Sequence, residues 1–264
     1  MRLSLLYAVA SLAVSAFPLP AQQRGARAES RQCLSAVTFA GQVWDVHTGE
    51  GPLRAEFDRC NVRLDASGSL LNLRIVCVGG RCTSSEVATR RRYLFGSFQV
   101  QTLGRIDQLH PGVVFGIFTY PGATKDGTRE IDIEYARYGQ PKAPLANYVV
   151  YPDVALDNYR NEARSLESPL TNASATHRFT WRRTSVFFQS VNGHTDGDRG
   201  EAACWIFRPP NSDIRRIPQA AAPLLLNLYP YGAAPLPEGE YQITITAFNY
   251  TADLRSPSRS SACR

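Results

Sequence analysis

Lysine is almost absent from this chain: Lys125 and Lys142 stand alone among many arginines, and the formal charge of +6 is spread along the whole length. Arg90-Arg91-Arg92 is the only run of three. The basic stripe of a nucleic-acid surface is therefore missing, no nucleic-acid motif replaces it, and the charge reads as an arginine-rich solvated surface. Helical periodicity is scarce, which excludes helix bundles. His47, His110 and His194 lack the spacing of a zinc site, and no nucleophile elbow supports Ser-His-Asp chemistry. Neither a metal nor a cofactor is expected. Internal repeats, linkers and low-complexity tails are also missing.

Long apolar runs are confined to the N-terminus. Met1-Arg2, the apolar stretch Leu3 to Val14 and the small residues after it read as a secretory signal peptide over residues 1–21, cleaved after Ala16 or Ala21. That stretch is too short to span a bilayer, and nothing later approaches the ~20 residues needed. The expectation is one domain over residues 22–264, secreted or periplasmic, soluble and monomeric. With 44% hydrophobic residues in 264, the chain can bury one substantial core.

Six cysteines in an exported chain imply three disulfides. Cys77 and Cys82 bracket Val-Gly-Gly-Arg, a hairpin-like turn that brings them within bridging distance. Cys33 precedes the first strand signal and Cys263 follows the last; a terminal staple between them would leave Cys60 to pair with Cys204.

Extended runs separated by Gly, Pro, Asn and Asp fill the chain: Val37 to Trp44, Val62 to Leu64, Leu70 to Val78, Tyr93 to Leu103, Val113 to Tyr120, Arg129 to Tyr135, Asn147 to Tyr151, His177 to Trp181, Val186 to Val191, Leu224 to Tyr229 and Tyr241 to Tyr250. So many short strands make the chain all-β, a sandwich. Pro152 to Ser174 and Arg208 to Pro223 read as loops. Trp44, Trp205 and His177 read as core or structural residues.

The chemistry is concentrated in Glu130-Ile131-Asp132-Ile133-Glu134. Alternation along a strand puts its three carboxyls on one face and Ile131, Ile133 and Tyr135 on the other. At about 3.3 Å per residue, the Cα atoms of Glu130 and Glu134 lie about 13 Å apart, which two glutamate side chains leaning together largely close. The carboxyls can then approach the roughly 5–5.5 Å separation of a retaining glycosidase. Asp132 between them raises the pKa of its neighbours and helps to keep one group protonated near neutrality. The competing reading is an exposed acidic strand face neutralised by arginines, with Arg129 and Arg137 nearby.

The stretch from Phe118 through Pro121-Gly122 to Arg129, with the acidic strand and the following Tyr135-Ala136-Arg137-Tyr138-Gly139, resembles the active-site segment of glycoside hydrolase family 16, and most closely its bacterial lichenase branch. The resemblance implies a concanavalin-like β-jelly roll of two antiparallel sheets with a concave substrate cleft. It implies that Glu130 is the nucleophile, Glu134 the acid/base and Asp132 the helper. It implies further that Glu86, Phe118, Tyr120, Asn147, Asn227 and Tyr229 face a polysaccharide substrate. Lichenase placement also suggests a Cys60–Cys82 bridge as an alternative pairing. The sequence departs from the lichenase pattern at Thr128-Arg129 (Trp-Asp there), Tyr229 (Trp), Val149 (Tyr) and Ala88 (Arg). The expected activity is retaining endo-hydrolysis of a β-1,3 or β-1,3-1,4 glucan. A non-catalytic glycan-binding protein or a transglycosylase on the same carboxylates is the alternative, and Arg129 keeps an anionic glycan open as substrate.

Overall fold

The structure is a computed structural model that describes residues 33–122, 128–157, 159–168, 170–232, 236–252 and Cys263. The expected leader, residues 1–21, lies outside the described residues.

In chain order the strands begin with β1 (Ala36–Phe39), β2 (Gln42–Val46), β3 (Gly49–Glu50), β4 (Glu56–Phe57), β5 (Val62–Leu64) and β6 (Leu71–Val78). They continue with β7 (Arg81–Thr83), β8 (Ser85–Thr89), β9 (Gly96–Leu103), β10 (Val113–Thr119), β11 (Ile131–Ala136) and β12 (Ala146–Val150). The last six are β13 (Glu162–Leu166), β14 (Ser174–Arg182), β15 (Ser185–Asn192), β16 (Glu201–Phe207), β17 (Leu224–Pro230) and β18 (Gly239–Thr251).

Two antiparallel sheets face each other. One runs β1-β2-β8-β17-β10-β11-β12-β13; the other runs β16-β15-β14-β9-β18-β6-β5, with β7 added beside β6. Between them lies an aromatic core that includes Trp44, Phe98, Phe115, Tyr135, Tyr148, Phe179, Trp181 and Phe188, all buried. Phe98 stacks on Phe179 with centroids 4.5 Å apart. Each such side chain contributes about 1.5–3 kcal/mol by leaving water. The described residues fall within one compact unit.

The core also holds polar groups that fix the first sheet from beneath. His177 on β14 meets the Thr102 hydroxyl through Nε2 at 3.0 Å and the Tyr135 hydroxyl through Nδ1 at 2.8 Å. Tyr135 and Tyr148 both meet the Ser190 hydroxyl. Burial pushes the His177 pKa down to about 3, so the ring stays neutral and serves as a structural bridge. Since Tyr135 belongs to β11, this network anchors the underside of the acidic strand.

Local chemistry explains where the strands depart from expectation. The run from Val37 to Trp44 is a hairpin, because Ala40 and Gly41 both take positive φ (49° and 70°) and reverse the chain in two residues. β13 falls in the segment read as a loop: Glu-Ala-Arg-Ser-Leu is a solvent-exposed edge strand with no apolar alternation to signal it. The remaining expected loop, 208–223, contains two short 3-10 turns.

Cys77–Cys82 forms as expected, across the β6–β7 pair. The other expected pairings are corrected to Cys33–Cys60 and Cys204–Cys263. Cys204 lies on β16 and Cys60 just before β5, the two opposite ends of one sheet. Six strand spacings of about 4.8 Å separate those ends, far beyond the 4.4–6.8 Å Cα separation of a disulfide. The Cys60–Cys82 alternative fails because Cys82 faces Cys77 directly in the ladder.

Candidate active site

Arg129, at φ 67°, turns the chain into the acidic strand, and the first carboxyl comes one residue before β11. The ladder still reaches it, since the Tyr151 amide donates to the Glu130 carbonyl at 2.9 Å. Ile131, Ile133 and Tyr135 are fully buried in the core. Strict alternation therefore sends Glu130, Asp132 and Glu134 to the opposite, concave face.

Strand register arranges that face in rows. One row crosses Glu86 on β8, Asn227 on β17, Gly116 on β10, Glu134 on β11 and Asn147 on β12. The next crosses Ala88, Leu225, Phe118, Asp132 and Val149. Gly116 is required in the first row: a Cβ there would lie 2.5 Å from Asn227 Oδ1. With hydrogen in its place, the Asn227 amide lies over the strand and donates to Glu86 Oε2 at 3.1 Å.

A cavity of about 620 Å³ opens over these rows. Glu86, Phe118, Tyr120, Glu130, Asp132, Glu134, Asn227 and Tyr229 all line it, so the fold gathers all but one of the expected site residues. The exception is Asn147. Its amide nitrogen donates to the carbonyls of Ala136 (3.0 Å) and Leu145 (3.2 Å), and its oxygen accepts from the Ser165 hydroxyl at 2.7 Å. These bonds tie β11, β12 and β13 together beside Glu134 and engage both ends of the amide.

Burial dominates the electrostatics. It pushes the Glu130 carboxyl up to about 7; the hydrogen bond with Asp132 works against the rise, and the charges of Glu134 and Glu86 add to it. Asp132 is raised well above the usual carboxylate range by deeper burial, by the charges of Glu130 and Glu134, and by its hydrogen bond with Glu130. Glu130 and Asp132 therefore titrate as a pair, with burial favouring the protonated form of each. Glu134 is raised by burial, partly offset by the Tyr138 hydroxyl, which donates to its Oε2 at 2.6 Å.

Among the described residues, no arginine lines this face. Arg129 Nε donates to the Asp153 carbonyl at 2.8 Å, and Arg137 donates to the Ala143 carbonyl. Arg129 also pairs with the Asp153 carboxylate at 3.7 Å, and neither cation is among the described lining residues of the cavity.

Sequence reasoning missed Tyr151, Phe57 and His47, which also line the cavity, and Tyr138 behind it. In the sequence His47 reads only as a histidine without zinc-site spacing. Its Nδ1 meets Glu86 Oε1 at 2.5 Å, a contact created by the pairing of β2 with β8 and invisible to local spacing. Tyr138 carried a weaker signal, four residues beyond Glu134 and past the strand end.

No protein-family profile and no curated protein matches the chain. Solved structures do. A β-1,3-1,4-glucanase (lichenase) from a mouse hindgut metagenome superposes with a TM-score of 0.57 at 20% identity, covering 80% of this chain and 94% of that one. A Bacteroides ovatus family 16 glycoside hydrolase, in complex with its mixed-linkage glucan product, gives 0.58 at 12% identity over 79% and 94%. A Flavobacterium laminarinase gives 0.58 at 14% identity over 78% and 92%. The two-sheet fold is thus the jelly roll shared with solved β-glucanases.

Proposed function

We propose that this protein is a retaining endo-glycosidase that cleaves a β-linked glucan of the β-1,3 or β-1,3-1,4 type, with Glu130 as nucleophile, Glu134 as acid/base and Asp132 as helper. The carrying observation is the single concave face on which all three carboxyls line one cavity, where burial raises the pKa of each. The jelly roll shared with β-glucanases supports the choice of substrate.

In the first step Glu134 protonates the leaving glycosidic oxygen while the Glu130 carboxylate attacks the anomeric carbon. Asp132, still protonated, orients Glu130 through their hydrogen bond and stays clear of the sugar carbon. Glu134, now ionised, deprotonates a water that displaces Glu130 from the covalent glycosyl intermediate. Phe118, Tyr120, Tyr151 and Tyr229 supply apolar and aromatic surface for sugar rings, while Glu86 and Asn227 offer hydrogen bonds to hydroxyls. Three disulfides fit an enzyme that works outside the cytoplasm.

The test is a panel of lichenan, laminarin, xyloglucan, agarose and carrageenan with products read by mass, which also separates hydrolysis from transfer to a sugar acceptor. Glu130→Gln should lose turnover by several orders of magnitude while remaining folded. Glu134→Ala should fall by about 10²–10⁴ on polymer, yet recover on an activated aryl glycoside when azide is added, because that leaving group needs no proton and azide needs no base. Wild-type-like turnover in Glu130→Gln would sink the mechanism. A wild type that binds glucan without cutting or transferring it would leave a lectin.

A further inference from the structure

His47 follows β2, and its amide donates to the Glu86 carbonyl at 3.0 Å, extending the β2–β8 ladder by one residue. Its ring meets Glu86 Oε1 through Nδ1, and the other Glu86 oxygen accepts from Asn227. The Glu86 side chain is 9% exposed and the His47 side chain 43%, so the buried carboxylate fixes the ring while the imidazole stands at the cavity wall. Among the described residues Nε2 has no partner. His47 is also the only basic side chain among the described residues lining the cavity, against the carboxyls of Glu50, Glu86, Glu130, Asp132 and Glu134.

We propose that His47 is a substrate-positioning residue, held by Glu86, whose Nε2–H donates to a hydroxyl of the bound sugar, so that the cleft binds its glucan more tightly when the imidazole is protonated. The proposal rests on the glucanase reading above and adds to it a residue and a pH dependence. A carboxylate can only accept, so Nδ1 carries the proton that Glu86 receives. In the neutral ring Nε2 is then an acceptor, and in the cation it is a donor; titration reverses the hydrogen bond offered to the sugar. Glu86 on β8 favours the cation, first by its hydrogen bond and then by its charge, while burial opposes it and Asp45 on β2 adds a little. The Asp45 carboxylate is shared with Arg90, whose Nε lies 2.8 Å away. Glu50 and the three acids associated with β11 face the same cavity, and Arg59 reaches only Thr48, at 3.2 Å. Among the described lining residues no other cation competes for the role.

The experiment measures kcat and KM on lichenan, and the affinity of a β-glucan tetrasaccharide for the Glu130→Gln protein, with His47 intact and as His47→Ala or His47→Gln. His47→Ala should raise KM and weaken binding about tenfold, the scale of one hydrogen bond from a charged donor, with kcat within about threefold. His47→Gln, whose amide donates at every pH, should recover part of the affinity and abolish its pH dependence. With His47 intact, affinity should fall as pH rises through the imidazole titration followed by NMR. Unchanged KM and affinity in an active enzyme overturn the role of His47 alone, as does a loss confined to kcat. A wild type that neither cuts nor binds any β-glucan overturns the glucanase reading and, with it, this inference.

Discussion

Tyr138 shows how one hydroxyl tunes Glu134, the proposed acid/base. Its donation to Glu134 Oε2 stabilises the ionised carboxyl, and burial acts in the opposite direction. Removing the hydroxyl leaves burial unopposed, so Tyr138→Phe should raise the Glu134 pKa. The alkaline limb of the pH–rate profile, where the general acid is lost, should then move upward while the plateau falls less than about tenfold. A limb that stays in place or moves down, in a folded variant, would remove Tyr138 from this role. The three acids were legible from sequence because alternation along a strand is nearly obligatory. The partners Tyr138 and His47 were not, because one acts across a strand end and the other across a sheet ladder, neither of which has a fixed spacing.

At the scale of the strand, β11 carries a conflict between function and stability. Its lower face is anchored through Ile131, Ile133 and the Tyr135–His177 contact, while its upper face confines three carboxyls beneath the cavity. All three have raised pKa values, so the folded protein binds protons more tightly than the unfolded chain. Their contribution is fully favourable below the unfolded pKa of about 4 and is lost as pH rises through the folded value. For Glu130 the loss is complete above about 7. Glu130→Gln cannot ionise, so it should match wild type near pH 4 and exceed it by on the order of 2 kcal/mol near pH 8, read as a difference in urea unfolding. A variant less stable than wild type at the higher pH would show that Glu130 is not under this strain. Strand β11 was itself readable from sequence, with bounds of Ile131 and Ala136 in place of Arg129 and Tyr135. β13 was not, because an exposed edge strand leaves no apolar period, and the disulfide partners of Cys60 and Cys204 depend on which sheet edge each occupies.

The whole molecule separates its charges. A surplus of arginine gives +6 overall, yet the cavity shows five carboxyl side chains and a single histidine among its described lining residues. Arg129, the residue beside the proposed nucleophile that would suit an anionic glycan, is turned to Asp153, through both its carbonyl and its carboxylate. The outer surface can therefore attract an acidic polymer that the cleft itself repels. A neutral β-glucan escapes that repulsion, whereas a carboxymethylated one must bring its charges beside Glu86, Glu50 and the acids of β11. We expect the carboxymethylated polymer to be cut with lower kcat/KM than its neutral parent at low ionic strength. The gap should narrow as salt shortens the Debye length from about 30 Å at 0.01 M to about 8 Å at 0.15 M. Parallel rate measurements on lichenan and its carboxymethyl derivative across that range decide the matter, and a charged polymer cut faster than the neutral one at low salt would mean that the surface arginines, not the cleft carboxyls, select the substrate.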